Sequence, residues 1–305
     1  MSGIQTKAAL DALRVGWVGA FLQSLEATTA FYPKIARIVP TSNRTVVTGG
    51  FAMQGQLRKW TGDRQFQGGK EDAYTLSHDP FEYSWEVKRI DIEDDTLEMY
   101  SGMFAEAGEI ATQGKDTMFF DMINNATTTV GYDGVPFFSA THPVTIGSTT
   151  TTQSNYLPGA GPAWYLLDQR SAVSRPFLFI MRKEVQVVRR DREQDDPVFL
   201  QGNYQYGLDG RFGAGLAVYQ RAFCSKELLT PDSLGKAITA MKRLTRNNGI
   251  KTMISPTILM VPTSLLEKAR AAIKSQFAFT DGKISSENMW VNAVPEILDV
   301  PYLTE

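Results

Sequence analysis

Residues 94–125 read DDTLEMYSGMFAEAGEIATQGKDTMFFDMINN. Leu97, Tyr100, Phe104, Ala107, Ala111 and Met118 recur at helical spacing and form one apolar stripe. Asp95 with Glu98 three residues on has the form of a capping box. The acids Asp91, Glu93, Asp94 and Asp95 suit the positive end of a helix dipole. The spacing predicts a single helix over 94–125. Close to thirty residues at 1.5 Å each make a rod of roughly 45 Å, well beyond the usual three turns or so.

A long excursion precedes the rod. TVVTGGFAMQG (residues 45–55) leads out, and FEYSWEVKRIDI (residues 81–92) returns with Phe81, Tyr83, Trp85 and Val87 alternating onto one face. Between the limbs, the polar run 57–79 carries an isolated Trp60. An isolated two-stranded projection is marginal in water, so it needs a partner surface. Trp60 and Phe66, flanked by Arg58 and Arg64, are the expected anchors, because aromatic and arginine side chains dominate interface energetics. Earlier still, Leu10, Leu13, Trp17, Phe21 and Leu25 predict an amphipathic helix over 7–25, followed by the extended strap FYPKIARIVP (residues 31–40). These segments read as an arm that docks on another molecule through Trp17 and Phe21. A helix packed on its own core is the alternative.

After the rod, RPFLFIMRKEVQVVRR (175–190) and the run 197–223 alternate as strands of one antiparallel sheet. From Leu228 the text becomes α/β. Thr230-Pro231 opens a helix, TILMVP is a short buried strand, and TSLLEKARAAIKSQ is a second helix begun by Thr263 or Ser264.

Composition narrows the function. The chain has 305 residues, a length suited to about two domains, and a formal net charge of −2. That charge gives no global attraction to nucleic acid or an anionic membrane. With one cysteine (Cys224) and two histidines (His78 and His142), neither a disulfide nor a Cys- or His-rich metal site is expected within one chain. No signal peptide or membrane span is expected either, and neither is a cofactor.

The loop GYDGVPFFSATHP (131–143) gathers Asp133, Ser139 and His142, the residue types of a hydrolase. Ser139 lacks the Gly-x-Ser-x-Gly elbow, and His142 is held extended by Pro143. A shaped structural loop is the stronger reading. GDRQFQGGKE (62–71) fails as a phosphate loop, having Arg64 and Glu71 where Gly and Ser/Thr belong. GLDGRFGAG (207–215) is followed by a strand where a dinucleotide site requires a helix. The acids at 91–95 lack calcium-loop spacing. RRDREQDD (189–196) is either a solvated loop or a charge-paired contact with another subunit.

Several blocks resemble one family: LRKWTGDRQFQ (57–67), YDGVPFF…HP (132–143), WYLLDQRSAVSRPFLF (164–179) and DDPVFLQGNYQYG…GRFGAG (195–215) are similar to the Mu-like major head subunits of tailed phages. The order of elements resembles the Hong Kong 97-type capsid fold. That resemblance implies an α+β fold with an N-terminal arm at 1–45 and an E-loop at 46–84. It also implies a peripheral domain at 85–227 built on the spine helix 94–125, and an axial domain at 228–305. It implies pentamers and hexamers of an icosahedral head enclosing double-stranded DNA, and no catalytic role for the 131–143 loop. The expected partners are copies of the chain, a separate scaffolding protein (the arm begins at once from Met1), a portal, decoration proteins and nonspecifically held DNA. The expected location is the virion, after assembly in host cytoplasm. No Lys–Asn crosslink is expected. A tail-tube component is the alternative, and a hydrolase using Asp133 and His142 a weaker one.

Overall fold

The computed structural model describes residues 7–49, 73–93, 99–146, 148–246, 249–280 and 283–305. Arg58, Trp60, Arg64, Phe66 and the 95/98 capping box lie outside them. The chain runs from an N-terminal helix (Lys7–Ala27) through β1 (Ala36–Pro40), the antiparallel pair β2 (Thr45–Gly49) and β3 (Ala73–Ser77), and β4 (Asp79–Lys88) to the spine helix, Met99–Asn124. A hairpin of β5 (His142–Ile146) and β6 (Thr149–Gln153) follows, then β7 (Tyr156–Leu157) and β8 (Trp164–Leu167). Two 14-residue strands, β9 (Phe177–Arg190) and β10 (Asn203–Leu216), precede β11 (Ala222–Ser225). The last part holds helix Pro231–Arg243, β12 (Ile258–Val261), helix Leu266–Lys274, the pair β13 (Phe277–Thr280) and β14 (Lys283–Glu287), and β15 (Glu296–Asp299). Among the described residues no helix is long and apolar enough to cross a membrane.

The first sheet has the order β1-β9-β10-β4. β9 and β10 pair antiparallel, as their alternation predicts, and β4 pairs with β10 over its full length, Asp79 to Lys88. One face packs on the spine helix. Phe104, Ala107, Gly108, Ala111, Thr112, Lys115, Asp116, Phe119, Phe120 and Ile123 are its buried positions, the i, i+3, i+4 rhythm of a core stripe. The sheet's other face is covered by the base of the β2–β3 pair: Leu76 packs with Leu178, Ile180 and Ala217. A Cβ on Gly215 would stand 2.3 Å from Leu76 Cδ1, and one on Gly213 would stand 2.5 Å from the Ser77 carbonyl oxygen. The glycines of 207–215 thus include two, Gly213 and Gly215, that let the excursion's root lie flat on the sheet.

The N-terminal helix corrects one expectation. Trp17 is 6% exposed and Phe21 1%. Trp17 stacks on Phe104 at 5.5 Å and meets Tyr206 edge-on at 6.3 Å. These two side chains are enclosed by their own subunit and leave nothing for a neighbour. The helix approaches the spine closely because Gly108 has no side chain; a Cβ there would stand 2.7 Å from the Phe21 carbonyl oxygen.

The second sheet has the order β15-β12-β8-β11-β7 and does not respect a boundary at 227/228. β7, β8 and β11, expected with the peripheral part, join β12 and β15 of the C-terminal lobe in one sheet, β8 pairing directly with β12. The reason is in WYLL: Tyr165 and Leu167 enter the main core, while Trp164 and Leu166 enter the lobe's core beneath the two helices. β12 divides in the same way, Ile258 and Met260 to one core and Leu259 and Val261 to the other. A strand buried on both faces belongs at the centre of a sheet covered on each side.

Candidate functional site

The 131–143 loop leaves the spine helix through a tight turn, with Gly134 at φ 82° and Gly131 N–H donating to Val135 O at 2.8 Å. It delivers His142 into full burial. There Nδ1 stands 2.6 Å from Asp133 Oδ2, Nε2 stands 3.0 Å from Asn155 Oδ1, and the ring stacks on Tyr219 at 3.7 Å. The Asn155 amide nitrogen donates to the carbonyls of Phe137, Ala222 and Tyr219, which fixes its oxygen as the acceptor. Nε2 is therefore a donor and carries no lone pair for proton abstraction. Ser139 Oγ pairs with Thr141, at 3.1 Å from both its hydroxyl and its N–H. So Asp133 and His142 meet as the sequence suggested, yet Ser139 is not joined to them. General base and nucleophile are not in contact, and general-base chemistry has no starting geometry.

The same arrangement is a good clasp. Asn155 Oδ1 also receives the Ser139 N–H at 2.9 Å, so one amide ties the loop, the β6–β7 link and the turn at Tyr219. Burial, together with the Asp133 carboxylate, pushes the Tyr219 phenol up to about 12. Burial likewise pushes the Cys224 thiol up to about 12, which removes the thiolate a reactive cysteine needs.

A second polar cluster had no sequence signal. Asp168, fully buried at the end of β8, accepts from Arg170 Nε and Nη2 and from Arg221 Nη1, each at 3.0 Å. The backbone N–H groups of Arg170 and Ser255 add bonds at 3.2 and 3.3 Å. Burial alone pushes this carboxyl up, but the two guanidinium groups and the N–H donors outweigh it and hold it below its ordinary value.

Large apolar side chains lie on the outside of this framework. On β4, Val87 is buried, whereas Phe81 and Tyr83 on the same face are exposed. At the opposite end of the first sheet Ile90, Phe199 and Leu200 face solvent. These side chains lie on the surface of the body that the polar clusters hold in shape.

A spine helix against a ribbon-like first sheet, with a second sheet and its helical lobe attached, is the Hong Kong 97-type capsid fold. The chain superposes on a subunit from the procapsid of bacteriophage JBD30 with a TM-score of 0.80 and 29% identity, covering 98% of this chain and 100% of that one. Against the bacteriophage JBD30 capsid the TM-score is 0.78 at 22% identity, covering 99% and 100%. In sequence it is 33% identical over 293 residues to the major capsid protein of Escherichia phage Mu, covering 93% of this chain and 95% of the relative. It is 30% identical over 291 residues to the Mu-like prophage FluMu major head subunit of Haemophilus influenzae, covering 90% and 91%. Residues 10–303 match the family model of the Mu-like prophage major head subunit gpT, and the chain belongs to that family. It is a major capsid protein of a tailed-phage head, a structural protein whose shell is built from copies of itself, not an enzyme.

Proposed function

We propose that copies of this chain form the pentamers and hexamers of an icosahedral head enclosing double-stranded DNA, assembled in host cytoplasm and retained in the virion. The observation that carries the reading is the chain-long match to a procapsid subunit at a TM-score of 0.80. Residues 46–84 act as an E-loop that lies on an adjacent subunit, with Arg58, Trp60, Arg64 and Phe66 as its contact residues. A standard interface buries about 800 Å² per partner; repeated around a capsomer, modest pair energies add to a durable shell. A scaffolding protein guides assembly and a portal occupies one vertex. Decoration proteins bind outside, a role supported by the JBD30 capsid that is decorated with minor capsid protein trimers. DNA is held by Lys and Arg facing inward, without sequence preference.

The test is electron microscopy of the chain expressed with and without a co-expressed scaffolding protein. Closed shells in either case support the reading, and shells only with scaffold place assembly control there. Tubes or small discrete oligomers under both conditions refute it. In working shells, Trp60→Ala lowers yield and urea resistance with the subunit still folded; shells as robust as wild type would remove Trp60 from the contact.

A further inference from the structure

We infer that Asp133, His142 and Asn155 form a proton-dependent lock on the 131–143 loop: one proton shared by Asp133 and His142 keeps the loop closed, and its loss at alkaline pH releases it. This goes beyond the head-subunit reading and does not depend on it. The proton count follows from the donors. Asn155 Oδ1 accepts at 3.0 Å from His142 Nε2 and at 2.9 Å from the Ser139 N–H, so Nε2 carries a hydrogen. On the other side of the ring, Nδ1 stands 2.6 Å from Asp133 Oδ2. Two lone pairs at that separation repel, so a second proton lies between them. Whether it sits nearer nitrogen or oxygen, the pair holds one proton more than a neutral imidazole beside a free carboxylate.

No other group can take that proton's place. Asp133 Oδ1 is buried without a hydrogen-bond partner, and among the described residues no Lys or Arg pairs with this carboxylate. The titratable groups packed around the pair are Tyr219, stacked on the imidazole, Tyr132, stacked on Tyr219, and Cys224, whose backbone N–H donates to the Asn155 carbonyl at 3.0 Å. With the Tyr219 phenol and the Cys224 thiol both pushed up to about 12 by burial, these two stay neutral where an imidazole titrates. Without the shared proton, a bare carboxylate faces a bare nitrogen lone pair out of reach of water. Opening the loop hydrates both.

The sign of the response follows. The closed loop binds more protons than the open one, so closure is strongest at low and neutral pH and weakens as pH rises, by at most about tenfold per pH unit. Three backbone donors report the opening. Phe137 N–H donates to Thr129 O and Phe138 N–H to Ala126 O, each at 3.0 Å, and Ser139 N–H to Asn155 Oδ1. The side chains of Phe137 and Phe138 are buried in the main core, so a released loop gives up packing as well as hydrogen bonds.

The experiment is hydrogen exchange of the full, unassembled chain, read by mass spectrometry on peptides covering 131–143 and corrected for ordinary base catalysis. From about pH 7 to about pH 9.5, protection of the wild-type loop should fall at least about tenfold, while that of β10 holds. Asp133→Asn offers Nδ1 an amide N–H in place of the shared proton, so both ring bonds persist without a titrating group. Its loop protection should stay within about twofold over the same range. Where Asp133→Asn does not fold, His142→Gln carries the same comparison, since its amide donates to the carboxylate and does not titrate. Unchanged protection in the wild-type loop overturns the inference. A fall in the variant as large as in wild type also overturns it, because the proton responsible would lie elsewhere. So does a fall shared equally by the loop and β10, which would mark loosening of the whole subunit.

Discussion

Replacing Trp17 with alanine separates two accounts of the N-terminal helix. If the helix were an arm lying on a neighbour, Trp17→Ala would weaken shells and leave the free subunit untouched. The structure instead places the indole between Phe104, Tyr100 and Tyr206. Truncating a buried Phe or Trp costs about 3–5 kcal/mol, less where neighbours can close the gap. They have little freedom to close it here. The helix already touches the spine backbone-to-side at Gly108, where Phe21 O would stand 2.7 Å from an added Cβ, so the two helices cannot move closer. The low end of the range is therefore excluded, and a cost of about 4 kcal/mol applies. With a urea dependence of about 3 kcal/mol per molar, the midpoint of the unassembled subunit should fall by roughly 1.3 M. Far-UV circular dichroism is the suitable probe, because the substitution removes one of the five tryptophans that fluorescence would report. A midpoint within about 0.2 M of wild type, together with weakened shells, would refute the packing argument and return Trp17 to the interface.

The other predictions concern the polar clusters and the excursion's root. Asp168→Asn should cost about 3–5 kcal/mol, since it leaves two guanidinium groups facing a neutral amide. Because the folded carboxyl lies below its ordinary value, its contribution is present above about pH 4 and lost as pH falls through the lower folded value. The gap between wild type and variant in urea titrations should therefore narrow on acidification, and a gap constant down to pH 2 would contradict it. His142→Ala and Asp133→Ala should each destabilise by several kcal/mol. A double-mutant cycle should show coupling above about 1 kcal/mol, because either change alone leaves the other partner buried and unpaired; additive effects would deny the clasp. Gly215→Val should cost about 1–3 kcal/mol by driving a side chain into Leu76. It should also expose the β2–β3 root to limited proteolysis, and an unchanged digestion pattern would argue against a fixed root.

The spine helix was legible because its stripe repeats over seven turns, and periodicity is what a sequence displays most openly. The contents of the stripe were less so. Lys115 and Asp116 lie in it, 5% and 2% exposed, although their type argues for the surface. Asp116 is explained by partners far away in the chain: its carboxylate receives the backbone N–H groups of Phe31 and Tyr32 at 2.9–3.1 Å, and Lys115 pairs with Glu184. No local pattern announces a bond across 84 residues. The same limit applies to Trp17 and Phe21: amphipathic spacing shows that a helix has a face to bury, and is silent on which molecule buries it. In the 131–143 loop the residue types were visible, but Asn155, which fixes the direction of His142 Nε2, stands 13 residues on and outside any catalytic motif.

The second sheet carries the consequence for assembly. A short run such as WYLL, apolar at every position, has no period and so no assignable face, which is why chain order was a poor guide to its neighbours. In the fold that property has a use. β8 and β12 send alternate side chains into the main core and into the lobe's core, so the two parts of the subunit share their central strands. A flexible linker would let them move independently; a shared sheet does not, because turning one part against the other would strip buried apolar area from both. The surfaces of the two parts are then fixed relative to one another. A closed shell needs this, since small angular freedom in each subunit would accumulate around a ring of copies into misclosure.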